Sequence, residues 1–249
     1  YRYLERKMLL KSDKVLVRSQ EAKNILSARA GAGFKPQKIT VITNGKDSNQ
    51  FCIKDEDRVL LRKKLKIEDE DFVIGYIGSL GKQYCIDEMI MFYQYMKERV
   101  HNVKFICMTG SPDIMRTRCR EKKVDLNDFS IFRCQPDDAP GYLNACDIGI
   151  ALREPSFSMK GVFPIKISEY LLCGLPIVAT KGIGDTEKLI NSEVGVLINN
   201  DKKSIEMAAD EIYHRLTTEY YSRIQIREFS KTAFSLDTTI NSYVQAITS

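Results

Sequence analysis

The feature that most limits how this chain can fold is an alternation. Short runs rich in Val and Ile recur, separated by longer stretches whose apolar residues fall at helical spacing. The runs are Lys14–Arg18, Ile39–Ile42, Phe72–Ile77, Val103–Met108, Ser130–Arg133, Ile148–Leu152, Pro176–Ala179 and Val194–Ile198. Most lack polar alternation, which is how strands covered on both faces read. In Asp87–Arg99, Met89, Phe92, Tyr93 and Met96 share one helical face, a stripe that reads as core packing rather than a cofactor box. Strand–helix alternation of this kind predicts an α/β fold with a Rossmann-like doubly wound parallel sheet. Ser204–Leu216, Glu219–Phe229 and Thr238–Ile247 then read as closing helices with no strand between them. At the other end, Tyr1 starts inside an amphipathic pattern, followed by a strand at Val15-Leu16-Val17 and a helix over Gln20–Ser27. A chain lacking its first strands is expected. The turn chemistry of Thr43-Asn44-Gly45-Lys46-Asp47 marks the joint after this opening.

Composition narrows the function classes. With 249 residues, 43% of them hydrophobic, the chain has material for a sizeable core. No apolar run approaches the roughly 20 residues that span a bilayer, and no leader resembles a signal peptide. The seven Cys are scattered singly, which argues against a disulfide framework or zinc site and for a reducing compartment. Only His101 and His214 are present, so a His-based metal centre is not expected. The net charge is +5, but Arg62-Lys63-Lys64 is offset at once by Glu68-Asp69-Glu70-Asp71. That region reads as a solvated helix end and turn, and no nucleic-acid partner is expected. A slight positive balance suits an anionic small ligand such as a nucleotide.

Chemistry concentrates in Gly161–Thr180. Pro164 suits the first turn of a helix, followed by Ile165, and Gly174 with Pro176 ends it. Lys166 and Glu169, three apart, project from one face of the opening turns. Beside the positive end of the helix dipole they are suited to holding a phosphate and a sugar hydroxyl together; a plain surface ion pair is the alternative. Gly78-Ser79-Leu80-Gly81-Lys82 follows a strand and precedes a helix, so its backbone N–H groups can approach an anion and Lys82 can add charge. Gly110-Ser111-Pro112 is a similar turn. All three segments lie at the C-terminal edge of the expected sheet, where open α/β sheets bind ligands. Asp69-Glu70-Asp71 lies at the opposite edge and reads as a solvated turn. Asp137-Asp138 reads as a helix N-cap pair, and Cys85, Cys107, Cys134, Cys146 and Cys173 as inert core thiols.

The series Ile42-Thr43-Asn44-Gly45…Phe51, Ile74–Gly81, Gly161–Thr180 and Gly195-Val196-Leu197 resembles the C-terminal half of retaining family-4 glycosyltransferases of the GT-B fold, over roughly residues 12–249. Pro164-x-Lys166-x-x-Glu169-Tyr170-x-x-x-Gly174-x-Pro176-Ile177-Val178-Ala179 carries it most specifically. The resemblance implies a division into residues 1–45, the end of the N-terminal acceptor domain and crossover, 46–216, the nucleotide-sugar donor domain, and 217–249, helices that brace the N-terminal domain. It implies that Glu169 binds the donor ribose, Lys166 faces the diphosphate, and the Gly78-Ser79 backbone lies beneath the phosphates. The base would rest near Gly110 and the turn from Arg133 to Pro136. No essential metal or cofactor is implied, the nucleotide sugar (UDP- or GDP-linked) being a substrate. The acceptor, a saccharide or lipid-linked saccharide, would meet the other half. The whole enzyme would transfer a sugar to an acceptor hydroxyl with retention, in bacterial polysaccharide biosynthesis, in the cytoplasm or at the inner face of the membrane; the fragment alone is expected to be inactive. Two departures stand out. The family often carries E-x7-E, and here Gly161 occupies the place of the first Glu; it often has Arg after the first glycine, and here that residue is Ser79, leaving Lys82 as the candidate substitute. A non-catalytic nucleotide-binding module and a nucleotide-sugar epimerase are the alternatives.

Overall fold

In a computed structural model that describes residues 1–218 and 220–248, all eight expected strands form. The order is α1 (Arg2–Lys11), β1 (Val15–Val17), α2 (Gln20–Ala30), β2 (Ile39–Val41), α3 (Asp55–Leu65), β3 (Phe72–Ile77), α4 (Ile86–Lys97), β4 (Val103–Met108), α5 (Pro112–Glu121) and β5 (Phe129–Phe132). Then follow α6 (Ala139–Asn144), β6 (Ile148–Ala151), α7 (Ile165–Leu172), β7 (Ile177–Thr180), α8 (Thr186–Leu189), β8 (Gly195–Ile198), α9 (Lys202–Thr217), α10 (Arg223–Phe234) and α11 (Leu236–Thr248). The helix expected over Glu219–Phe229 instead begins at Arg223, where the Ser222 hydroxyl caps it by accepting from the Gln225 N–H, and runs to Phe234. Glu219 and Ser249 lie outside the described residues.

Strands β3–β8 make one parallel six-stranded sheet in the order β5-β4-β3-β6-β7-β8, and β1 and β2 pair separately in parallel. Helices cover both faces, as the unbroken Val/Ile runs require. On one face α4, α5 and α9 pack through Met89, Phe92, Tyr93, Met96, Met115, Ala208 and Ile212. On the other, α6, α7 and α10 pack through Leu143, Ile167, Leu171, Ile226 and Phe234. Strand order reverses between β3 and β6, the topological switch point of such sheets. There the two strands register over Ile74–Ile148 and Gly75–Gly149. Further on, the hydroxyl of buried Tyr170 reaches between them, accepting from Ile77 N–H at 3.0 Å and donating to the Ile150 carbonyl at 3.3 Å. A side chain thus replaces the ladder, and the strands splay into a crevice.

The closing helices return to the crossover. The Lys46 N–H donates to the Phe234 carbonyl at 3.0 Å, the Leu236 N–H donates to the Lys46 carbonyl at 2.8 Å, and the Thr239 hydroxyl accepts from the Gly45 N–H at 2.8 Å. Gly45 is packed so closely that a β-carbon there would stand 2.0 Å from the Ser235 carbonyl oxygen. Only glycine fits.

Two charge readings are corrected. Arg62 is not on a solvated helix end. It is buried, donating to the carbonyls of Glu68, Asp69, Asp71 and Ala145 and pairing with Asp147 at 2.8 Å. Asp71 is buried too, its carboxylate accepting from the Glu68 N–H, while Asp69 and Glu70 remain exposed. The guanidinium ties the Glu68–Asp71 turn to α3 and to Ala145 and Asp147, which a count of charges along the sequence does not reveal. Asp137 and Asp138 do precede α6, but neither carboxylate caps it; Asp138 has helical backbone angles, and Asp137 accepts instead from Gln50.

Candidate functional site

The C-terminal edge of the sheet opens into a cavity of about 760 Å³. Its walls include Gly78, Ser79, Gly110, Pro136, Pro164, Ile165, Lys166 and Glu169, so eight of the residues singled out from sequence meet in one place. Lys82 and Arg133 do not line it. After Gly81 the chain makes a single 3-10 turn, Lys82–Tyr84, and then a left-handed residue, Cys85 at φ 48°. This geometry sends the Tyr84 ring into the cavity and Lys82 to a separate depression beside Asp87 and Arg118. Beyond β5, Cys134, Gln135 and Pro136 form the wall in place of Arg133. Gly161, at the position where the resemblance leads one to expect a Glu, is exposed and lies outside the wall.

Lys166 stands in the first turn of α7, which starts one residue after Pro164, the N-cap. Its Nζ is buried and has no hydrogen-bond partner. It lies 4.1 Å from the centre of the Tyr76 ring and 4.9 Å from that of Tyr84, so the aromatic faces carry its charge by cation–π attraction. Burial, reinforced by the positive charge of Arg153, drives its pKa down from 10.5 to about 7. The ammonium sits against Gly78, whose φ of +131° suits glycine. The alternative of a surface ion pair with Glu169 is not what forms.

Glu169, one turn along, is largely buried, with 12% of its side chain exposed, and pairs with Lys46 at 2.8 Å. Lys46 enters the cavity from the crossover, where its backbone is fixed by Phe234 and Leu236. Arg153, directly beyond β6, adds a further cation to the wall. The role of neither residue was legible in the sequence: spacing relates residues on one helix, and these arrive from separate segments. The turn residues around Lys46 gave the one available signal.

Burial raises the thiol pKa of Cys85, Cys107 and Cys173 to about 12, which keeps those groups protonated and unreactive; Cys146 shifts the same way. Cys134 departs from the core reading, since its half-buried side chain lies on the cavity wall, but desolvation still lifts its thiol to about 11. Among the described residues, no group of three or more His, Cys, Asp or Glu could hold a metal ion, and no helix is long and apolar enough to cross a membrane.

The cavity can thus receive a group with several negative charges near Gly78 and Lys166 and a hydroxylated group near Glu169. Comparison with known proteins places the chain in a family. Residues 57–231 match the family described as glycosyl transferases group 1. Over 197 residues the chain is 23% identical to the capsular polysaccharide biosynthesis glycosyltransferase CapM of Staphylococcus aureus, covering 74% of this chain and 48% of that protein. The chain therefore spans about half the length of the curated relative it matches. The crystal structure of Anabaena Alr3699/HepE in complex with UDP and glucose superposes with a TM-score of 0.78 at 19% identity, covering 100% of this chain and 66% of that one. A glycosyltransferase from Rickettsia africae gives 0.80 at 18% identity, covering 98% and 65%. These likenesses show the fold: a Rossmann-like sheet as in GT-B glycosyltransferases.

Proposed function

The chain belongs to the glycosyl transferases group 1 family, and from that premise we propose that its cavity binds the diphosphate and ribose of a nucleotide-sugar donor. The observation that carries this reading is the buried, unpartnered Nζ of Lys166 against Gly78, at the switch point of the sheet. A buried ammonium without a partner is costly unless an anion meets it. A diphosphate does so, with the N-terminus of α7 adding the partial charge of its free N–H groups. Glu169, held by Lys46, accepts from the ribose hydroxyls. HepE was crystallised with UDP and with UDP-glucose, which supports a UDP-linked donor; a GDP-linked one is the competitor.

In a protein of the relatives' length, the donor half is residues 46–216, the acceptor binds a second half of which 1–45 is the end, and 217–249 spans between the halves. The sugar passes from the nucleotide to an acceptor hydroxyl with retention, in polysaccharide assembly at the cytoplasmic side of the membrane. Charge growing on the departing diphosphate is met by Lys166 and helix N–H groups, a type of stabilisation worth roughly 2.7–4 kcal/mol per donor. The reading assigns that work to side chains and needs no metal.

Calorimetric titration with UDP, GDP, ADP and CMP, with and without magnesium, tests the reading. One diphosphate binding without metal is the expected result. Folded Lys166→Met and Glu169→Gln variants that bind as well as the parent would overturn the site.

A further inference from the structure

We propose that Arg153 is the second cation of the diphosphate site, supplying from the end of β6 the charge that the turn after β3 does not carry. The inference rests on the donor-site reading above and adds a residue to it.

Four observations converge. First, position: Gly78 directly follows β3, Arg153 lies just beyond β6, and these neighbouring strands meet where the sheet order reverses. Both residues line the same cavity as Lys166. Second, the turn itself lacks a cation there: Ser79 follows the glycine, and Lys82 lies in a different depression. Third, the Arg153 backbone is locked by a closed ring of bonds. Its N–H donates to the Thr180 hydroxyl at 3.0 Å, that hydroxyl donates to Asn200 Oδ1 at 2.9 Å, and Asn200 Nδ2 donates to the Arg153 carbonyl at 2.7 Å. Such fixing from the ends of β7 and β8 is how a scaffold aims one side chain.

Fourth, the guanidinium is held without being neutralised. It stacks 5.0 Å from the Tyr84 ring centre, donates to the Tyr84 hydroxyl at 3.2 Å, and contacts the Met159 sulfur. Among the described residues it forms no ion pair with a carboxylate, unlike Arg58, Arg62 and Arg99. The Tyr84 ring also carries the Lys166 ammonium. Two unneutralised cations held on one aromatic ring repel each other, and an anion between or beside them removes that cost while leaving both charged. A planar fork with free N–H donors matches two phosphate oxygens with a pair of parallel bonds, a fixed geometry that an ammonium, a point charge with rotatable donors, does not impose.

The test compares UDP with uridine on the full chain, by calorimetry and ligand-observed NMR, for Arg153→Gln, Arg153→Met and Lys166→Met. Arg153→Met keeps an apolar stem on the Tyr84 ring, so one folded arginine variant suffices. Loss of about tenfold or more in UDP affinity with uridine binding unchanged is expected from either. Parent-like UDP binding by the arginine variants, with Lys166→Met deficient, overturns the role of Arg153 and leaves the donor site standing. Equal weakening of UDP and uridine shows a structural effect and also overturns it. Parent-like binding by all three variants, or no binding of UDP or GDP by the parent, overturns the donor-site reading and this inference together.

Discussion

The ammonium of Lys166 lies so close to Gly78 that a β-carbon on the glycine would stand 3.1 Å from it. A charged group is thus seated on bare backbone, at the one turn where the sheet opens, with aromatic rings and no carboxylate bonded to it. Removing that charge affects binding and stability in opposite directions.

Lys166→Met is expected to lose nucleotide-diphosphate binding by tenfold or more while its thermal midpoint at pH 7 equals or exceeds the parent's. The pH dependence has a definite sign. The folded pKa of Lys166, about 7, lies below its ordinary 10.5, so between these values the unfolded chain binds more protons than the folded one. The cost of burying the ammonium is fully present below pH 7 and is relieved as pH rises to about 10. The stability advantage of Lys166→Met over the parent should therefore shrink across that window, as denaturant titrations at pH 7, 8.5 and 10 will read.

The same group links ligand binding to proton uptake. Around Lys166 stand Arg153, Glu169, Cys107, Tyr76 and Tyr84; burial and Arg153 lower its pKa, and Glu169 and Cys107 oppose them. At pH 8 the empty cavity holds a mostly neutral amine, and an entering diphosphate favours the ammonium. Calorimetry of UDP binding in buffers of different ionisation enthalpy should show uptake approaching one proton per site at pH 8. Lys166→Met should show none.

Much of the fold was legible because Val and Ile runs buried on both faces look alike in any doubly wound sheet, as in Phe72–Ile77 and Ile148–Ala151. Lys166 and Glu169 were legible because one helix carries both, and helix geometry follows from spacing. Lys46 and Arg153 were not, since their place in the cavity depends on the crossover and on the end of β6 meeting α7 in space. Lys82 misled for a related reason: a left-handed Cys85 turns the loop, and nothing in the composition of Gly81–Cys85 announces it. Arg62 read as solvent-facing because its neighbours in sequence are charged, whereas its partner Asp147 comes from the approach to β6.

That partnership yields a stability prediction. Asp147 neutralises buried Arg62, pairs with Arg58 at 2.6 Å, and accepts from the Val73 N–H at 2.7 Å. Asp147→Ala leaves the Arg62 charge without compensation and should cost about 3–5 kcal/mol, the usual penalty for removing one partner of a buried pair. Denaturant-induced unfolding followed by circular dichroism measures it.

Gly45→Ala tests the crossover. A methyl group there meets the Ser235 carbonyl, so α11 or the crossover must shift, at a cost of about 1–3 kcal/mol for overpacking. The Lys46–Glu169 pair moves with it. The expected outcome is a lower thermal midpoint together with weaker nucleotide binding, whereas Gly33→Ala, which faces open space but has φ +87°, should lose only stability.

The bonds that fix Lys46 also set a timetable for synthesis. Strands β3 to β8 and helix α7 are complete well before Phe234, Leu236 and Thr239 have left the ribosome, so a nascent chain holds Lys166 and Gly78 before it can hold Lys46 against Glu169. Domains tend to fold as units while they emerge. On the donor-site reading, the end at Lys166 and Gly78 therefore matures before the end at Lys46 and Glu169, and the partial protein would bind an anion before it binds a nucleotide.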